Sequence, residues 1–259
     1  MINLTDLIKK IIAAVKKDDL ISSANDMTYK LFFSVFPFSI FLMSVVGYLN
    51  LDADMLADQI TQILPDSLSL PARAFIGEIA RVRNANILSF SLIAALFGAS
   101  AGFRTAMRSI NKAYGQKDAR KIYIKIPVSI ALVFIFTVII IISFALLIFG
   151  NIIFNKYNIL RYGVSIIVTF VSVILINKLA LYKNTKTSIR SLVPGAIFTV
   201  FLWFIISWLF NIYIENFTNY SALYGSIAAI IILMLWLNIM CIIMLLGSEI
   251  NAILENQNL

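Results

Sequence analysis

Histidine is absent from this chain of 259 residues, and cysteine occurs once, as Cys241. The first absence removes the commonest general base and the commonest zinc ligand. The second excludes an intrachain disulfide, and Cys241, inside an apolar stretch, reads as a buried inert thiol. Charge is scarce as well: 13% of residues are Asp, Glu, Lys or Arg, against 61% hydrophobic. Soluble domains carry roughly 25% charged residues, so an ordinary soluble core is excluded. The scattered carboxylates form no paired constellation, and no catalytic, cofactor-binding or metal-ligating set can be assigned. The net charge is +8, but the basic residues do not line one face with interleaved aromatics, so nucleic acid is not an expected partner.

What the sequence has is long apolar runs. From Ser226 to Ser248 no residue is charged and Asn238 is the one strongly polar group. At about 1.5 Å per residue the run covers roughly 34 Å, enough for a ~30 Å hydrocarbon layer. Five further runs repeat the pattern. The predicted fold class is therefore all-α: a single integral membrane domain over 1–259 with spans near 31–49, 87–107, 127–150, 162–181, 194–213 and 225–248. No small-residue cleavage site follows the first run, which is expected to stay as an uncleaved helix.

Between and before the spans the pattern changes. Residues 1–19 place Leu4, Leu7, Ile8, Ile11, Ile12 and Val15 at helical spacing, with Lys9, Lys10, Lys16 and Lys17 opposite. That is an amphipathic helix suited to an anionic membrane surface. Residues 51–85 read as two short amphipathic helices split at Pro65-Asp66-Ser67, a hairpin-like loop on the outer side. With six spans the termini share a side. Sixteen Lys and Arg residues fall on that side against five on the other, which predicts both termini in the cytoplasm.

Local irregularities mark candidate packing and path residues. Pro37 interrupts the first span, where Ser34 could re-satisfy the freed carbonyl. Gly98 and Gly102 form a GxxxG face that lets another helix approach and allows a homo-oligomer. Pro194-Gly195 suits the first turn of the fifth span. Tyr224-Gly225 and Gly247 place small residues at the two ends of the last. Arg104 and Glu249, counted inward along their helices, reach similar depth. An ion pair between them, or with Arg108 in place of Arg104, is expected, since a lone charge there is costly. Arg104, Arg108, Glu249, Asn238, Tyr29 and Pro37 are the candidate path or gate residues.

Several phrases read together: Tyr29 with Ser34-Val35-Phe36-Pro37, then Gly98-Ala99-Ser100, Asn111 and Tyr114. Arg190 and Pro194-Gly195-Ala196 follow, then Tyr224-Gly225-Ser226, Trp236 and Gly247-Ser248-Glu249-Ile250-Asn251. In this combination the chain resembles the YihY/BrkB family of bacterial inner-membrane proteins. The resemblance implies a six-helix protein of the cytoplasmic membrane. Members have been called virulence or serum-resistance factors, some have been linked to lipid export, and some carry an old ribonuclease label. Ribonuclease chemistry finds no His and no carboxylate cluster here. The expected function is transport or translocation of a lipid or amphiphile, with the bilayer itself as partner. The alternative is a structural or envelope-assembly factor that transports nothing.

Overall fold

The computed structural model describes residues 4–48, 57–58, 73–74, 76–77, 85–154, 158–182, 187–216 and 218–255. Among them every regular element is helical: α1 (Leu4–Lys17), α2 (Leu20–Tyr48), α3 (Ala85–Ala113), α4 (Ile122–Phe154), α5 (Asn158–Ala180), α6 (Ile189–Asn216) and α7 (Thr218–Glu255). Five of these, α3 to α7, are long and apolar enough to cross a membrane. The first expected span lies in α2, and its last residue is outside the described residues. Of the loop 51–85 only six helical residues ahead of Ala85, where α3 begins, are described, with Arg73 ion-paired to Asp58.

Two helices start earlier than their prolines suggest. α6 opens at Ile189 and α4 at Ile122, so Pro194 and Pro127 are each the sixth helical residue, not the first. A proline there forfeits the bond to the carbonyl four residues back. In α6 that carbonyl belongs to Arg190, an exposed residue, and one lost bond near a helix start does not stop the preceding turn from forming.

The chain divides into two compact units. The first comprises Met1–Met27, Ser100–Ser207 and Asn238–Leu259. Here α1 turns its Ile11, Ala14 and Val15 side inward and exposes Lys9, Lys10, Lys16 and Lys17. Asp18 donates its N–H to the Ala14 carbonyl (2.8 Å), and Asp19 takes the left-handed conformation (φ 51°) that turns the chain into α2. Asp is one of the few non-glycine residues that enters this region readily. α4 packs along α5. Val173 of α5 with Ala196 and Val200 of α6 forms an apolar core, flanked by Phe170, Ile174 and Trp203. Trp203 lies inside a span, where its indole N–H needs an acceptor; it donates to the Met240 carbonyl at 3.0 Å. Cys241 is buried and forms no disulfide.

The second unit comprises Thr28–Ala99 and Trp208–Leu237. Three of its serine hydroxyls are absorbed by their own helices: Ser39 donates to Val35 O, Ser44 to Ile40 O and Ser91 to Leu88 O. A hydroxyl bonded one turn back costs little in lipid, because no polar group is left open. Phe90, Ile93 and Phe97 stand exposed along one side of α3, as suits a hydrocarbon surrounding.

Candidate functional site

The richest polar chemistry in the first unit gathers where α3 and α5 end. α3 closes in a Schellman motif: Gly115 (φ +67°) donates to Lys112 O at 2.8 Å and Gln116 donates to Asn111 O at 2.9 Å. Glycine is required there by its backbone angle alone. The turn brings Arg120 to the C-terminus of α5, whose last carbonyls lack helical partners. Arg120 donates to Leu179 O (3.2 Å) and Leu181 O. Asn111 donates to Ala180 O (2.8 Å) and to Met107 O (2.6 Å), and accepts the Tyr182 N–H at 2.7 Å. A cation at this end also matches the helix dipole. Arg120 is anchored by Asp118 at 3.8 Å, and both side chains are buried.

Two more asparagines tie the last helix into place. Asn177 of α5 accepts from Ser248 Oγ at 2.6 Å and donates to Val173 O at 2.9 Å. Asn251 accepts the Gly195 N–H at 2.6 Å and donates to Leu192 O at 3.1 Å, so its carboxamide lies against the α6 backbone beside Pro194. Gly195 permits this: a Cβ there would come within 2.6 Å of Asn251 Cγ and would strike Gly247 O. A Cβ on Gly247 would stand 2.7 Å from Gly195 O and would strike Thr199 Oγ1.

Next to Ser248, Glu249 is only 2% exposed. The charges that act on it are Asp18, Lys112 and Lys17. Lys112 Nζ donates to the Asp18 carbonyl at 2.6 Å, which fixes the ammonium on this side. The Tyr114 hydroxyl is buried and has no hydrogen-bond partner among the described residues. Burial, then the carboxylates of Glu255 and Glu249, push this phenol above its ordinary value. Three carboxylates (Glu249, Asp18 and Glu255), a phenol and two ammonium groups thus form one electrostatic cluster, a set suited to holding a proton or a polar headgroup.

Among the described residues no hydrogen bond or ion pair joins Arg104 to Glu249, contrary to the expected pair. Arg104 donates to Ser100 Oγ at 2.7 Å, and Arg108 is exposed. The charge opposite Glu249 is Lys112, eight residues beyond Arg104 and so about 12 Å further along the helix. The depth count takes Tyr224 as the start of the last helix, whereas α7 begins six residues earlier, at Thr218. Asn238 meets Asn25, donating at 2.8 Å. Tyr29 and Pro37 belong to the second unit. Tyr29 is exposed with its ring 4.6 Å from Phe33. Ser34 donates to Leu31 O and not to the Phe33 carbonyl that Pro37 frees. A Cβ on Gly98 would stand 3.0 Å from Ser34 Cβ, and Gly102 is buried in the first unit. Tyr224 and Gly225 lie in α7, where nothing beyond the backbone is described.

Comparison with known proteins agrees with this architecture. The family described as Virulence factor BrkB matches residues 11–259. The chain is 35% identical over 253 residues to the "Putative ribonuclease-like protein YfkH" of Bacillus subtilis (strain 168), covering 91% of this chain and 90% of that protein. It is 35% identical over 79 residues to a "UPF0761 membrane protein" of Pseudoalteromonas translucida, and 34% identical over 83 residues to one of Xanthomonas campestris. Those matches cover 30% and 32% of this chain, and 26% and 19% of the relatives' own length. No solved structure matches. With nearly its whole length matched and five helices fit to span a bilayer, the chain belongs to the BrkB family and is a multi-pass membrane protein.

Proposed function

We propose that this protein moves a lipid or amphiphile across the bacterial cytoplasmic membrane, with both termini in the cytoplasm and no enzymatic step. The observation that carries the reading is Glu249: a carboxylate enclosed on a membrane-spanning helix, within electrostatic reach of Asp18, Lys112 and Lys17. An ionisable group so placed is costly to keep and marks functional sites in membrane proteins. Few other ionisable groups lie in the spans, which suits an amphiphile better than a small ion. The sixteen-to-five bias in basic residues supports the orientation. The ribonuclease-like name belongs to the Bacillus subtilis relative; a chain without histidine offers no ordinary base for that chemistry.

Reconstitution into liposomes with headgroup-labelled lipid tests this. Faster equilibration between leaflets than in protein-free liposomes is expected, and slower equilibration in Glu249→Gln. Equal rates with and without protein would sink the reading. They would favour the alternative, a non-transporting envelope-assembly factor, which the helix-tying carboxamides of Asn111 and Asn251 suit well. Measurable RNA cleavage by purified protein would overturn the non-enzymatic part.

A further inference from the structure

Away from that cluster, α4 and α5 form an apolar groove of about 460 Å³, walled by Phe134, Ile135 and Val138 on one side and Ile167, Val171 and Leu175 on the other. Ser172 also lines it, but its hydroxyl donates to Val168 O, so the groove offers no open hydrogen-bonding group from that side chain. Phe134, Val138, Ile167, Val171 and Leu175 are all between two-fifths and two-thirds exposed. On two membrane-spanning helices such a surface meets hydrocarbon.

The stripes that build the groove end on positive charge. On α5, Val168, Val171 and Leu175 are followed at helical spacing by Lys178. On α4, Val138, Ala131 and Ile124 recur every seven residues, and Lys121 follows one turn further out. These two ends are neighbours, because Arg120 reaches the α5 carbonyls of Leu179 and Leu181. Ile167 lies eleven residues from Lys178, about 16 Å, which is roughly half of a ~30 Å hydrocarbon core. The groove therefore fits one leaflet's depth, with cations at its headgroup end. Lys178 donates one N–H to Thr187 O, and an ammonium has two more to give. Basic side chains at the membrane surface beside an apolar cleft recognise anionic lipid headgroups.

We propose that this groove seats one acyl chain of an anionic phospholipid, whose phosphate is held by Lys178 with Lys121 adding attraction further out. The inference does not depend on translocation, since the assay below involves no flux. Its failure and the failure of the transport reading are separate results.

The test is native mass spectrometry of the full-length protein equilibrated with equimolar dioleoylphosphatidylglycerol and dioleoylphosphatidylcholine. Several-fold enrichment of the glycerol lipid is expected on the parent, and its loss in Lys178→Gln/Lys121→Gln. Ile167→Trp, a bulky side chain at an exposed groove position, should lower retention of both lipids; Val138→Trp repeats the block from the other wall should the first fail to fold. Unchanged enrichment in the lysine variants, or unchanged retention in a folded tryptophan variant, overturns the proposal. So does displacement of bound phosphatidylglycerol by inorganic phosphate alone, which would mean an anion site without a chain. A shift from dimer to monomer in the tryptophan variants also overturns it, because the face would then be covered by a second copy.

Discussion

Gly195 of α6 and Gly247 of α7 meet backbone to backbone, each in the space where the other's side chain would begin. Lipid supplies no hydrophobic drive for helix association, so this approach and the bonds it permits must supply it. Gly247→Ala should therefore lower the unfolding free energy by about 1–3 kcal/mol, the range for overpacking a tight contact. Gly163→Ala is the matched control: no atom lies within 4 Å of a Cβ built there. It should leave stability unchanged or raise it by up to about 1 kcal/mol, the helix-propensity gain over glycine. Thermal melts of the two variants against the parent decide it.

Arg120 is the second structural test. Arg120→Met strips the Leu179 and Leu181 carbonyls of this donor and leaves the buried Asp118 side chain with Lys125, at 3.6 Å, and the N–H of residue 120. Breaking a buried pair from one side costs roughly 3–5 kcal/mol, and Lys125 should hold the loss to the low end. Adding Asp118→Asn should recover part of it. No recovery in the double variant would show that carbonyl capping, not the ion pair, dominates.

Tyr114 gives a pH signature. Its phenol is raised by burial and by Glu255 and Glu249, so the folded state keeps the proton at pH values where the unfolded chain, near 10, has begun to lose it. Stability is then at its full value below about pH 10 and falls as pH climbs past it. Tyr114→Phe removes this loss. At neutral pH it should be neutral or stabilising by about 1 kcal/mol, since the buried hydroxyl it deletes has no partner among the described residues. Parallel melts at pH 7 and pH 10.5 should show the variant's advantage widening; a constant difference would contradict the assignment.

Orientation can be tested with single cysteines introduced into a Cys241→Ala background. An impermeant thiol reagent applied outside should label Asn219→Cys and spare Gln116→Cys. Labelling of Gln116→Cys from outside would reverse the assigned topology.

Five of the six expected spans were legible because apolar runs of twenty residues have few alternatives in any fold. Helix starts at α4 and α6 were not: both spans were begun at a proline, Pro194 as a first-turn residue, when a sixth-position proline costs only one bond. Gly98, Gly195 and Gly247 stood out as small residues, yet no spacing rule reveals that Gly195 faces Gly247. The partner of Glu249 was misjudged because depth counted from one assumed helix start carries the error of that start. The asparagines were the quietest signal. Asn111 and Asn251 lay within phrases that carried the family resemblance, but an amide's partner is fixed by tertiary approach, which periodicity does not encode. Asn177 has no such signal, and Arg120 enters the sequence only as one of the sixteen basic residues that set the orientation.

The clasp at the end of α5 has an order in time as well as a place. Its donors, Asn111 and Arg120, precede α4 in the chain, and its acceptors end at Leu181. Everything needed to close the α4–α5 hairpin has thus been synthesised before α6 begins. The carboxamide that braces Pro194 sits at residue 251, within the final turns of α7. During synthesis the first hairpin can lock on its own, whereas α6 waits until the far end of α7 has been made.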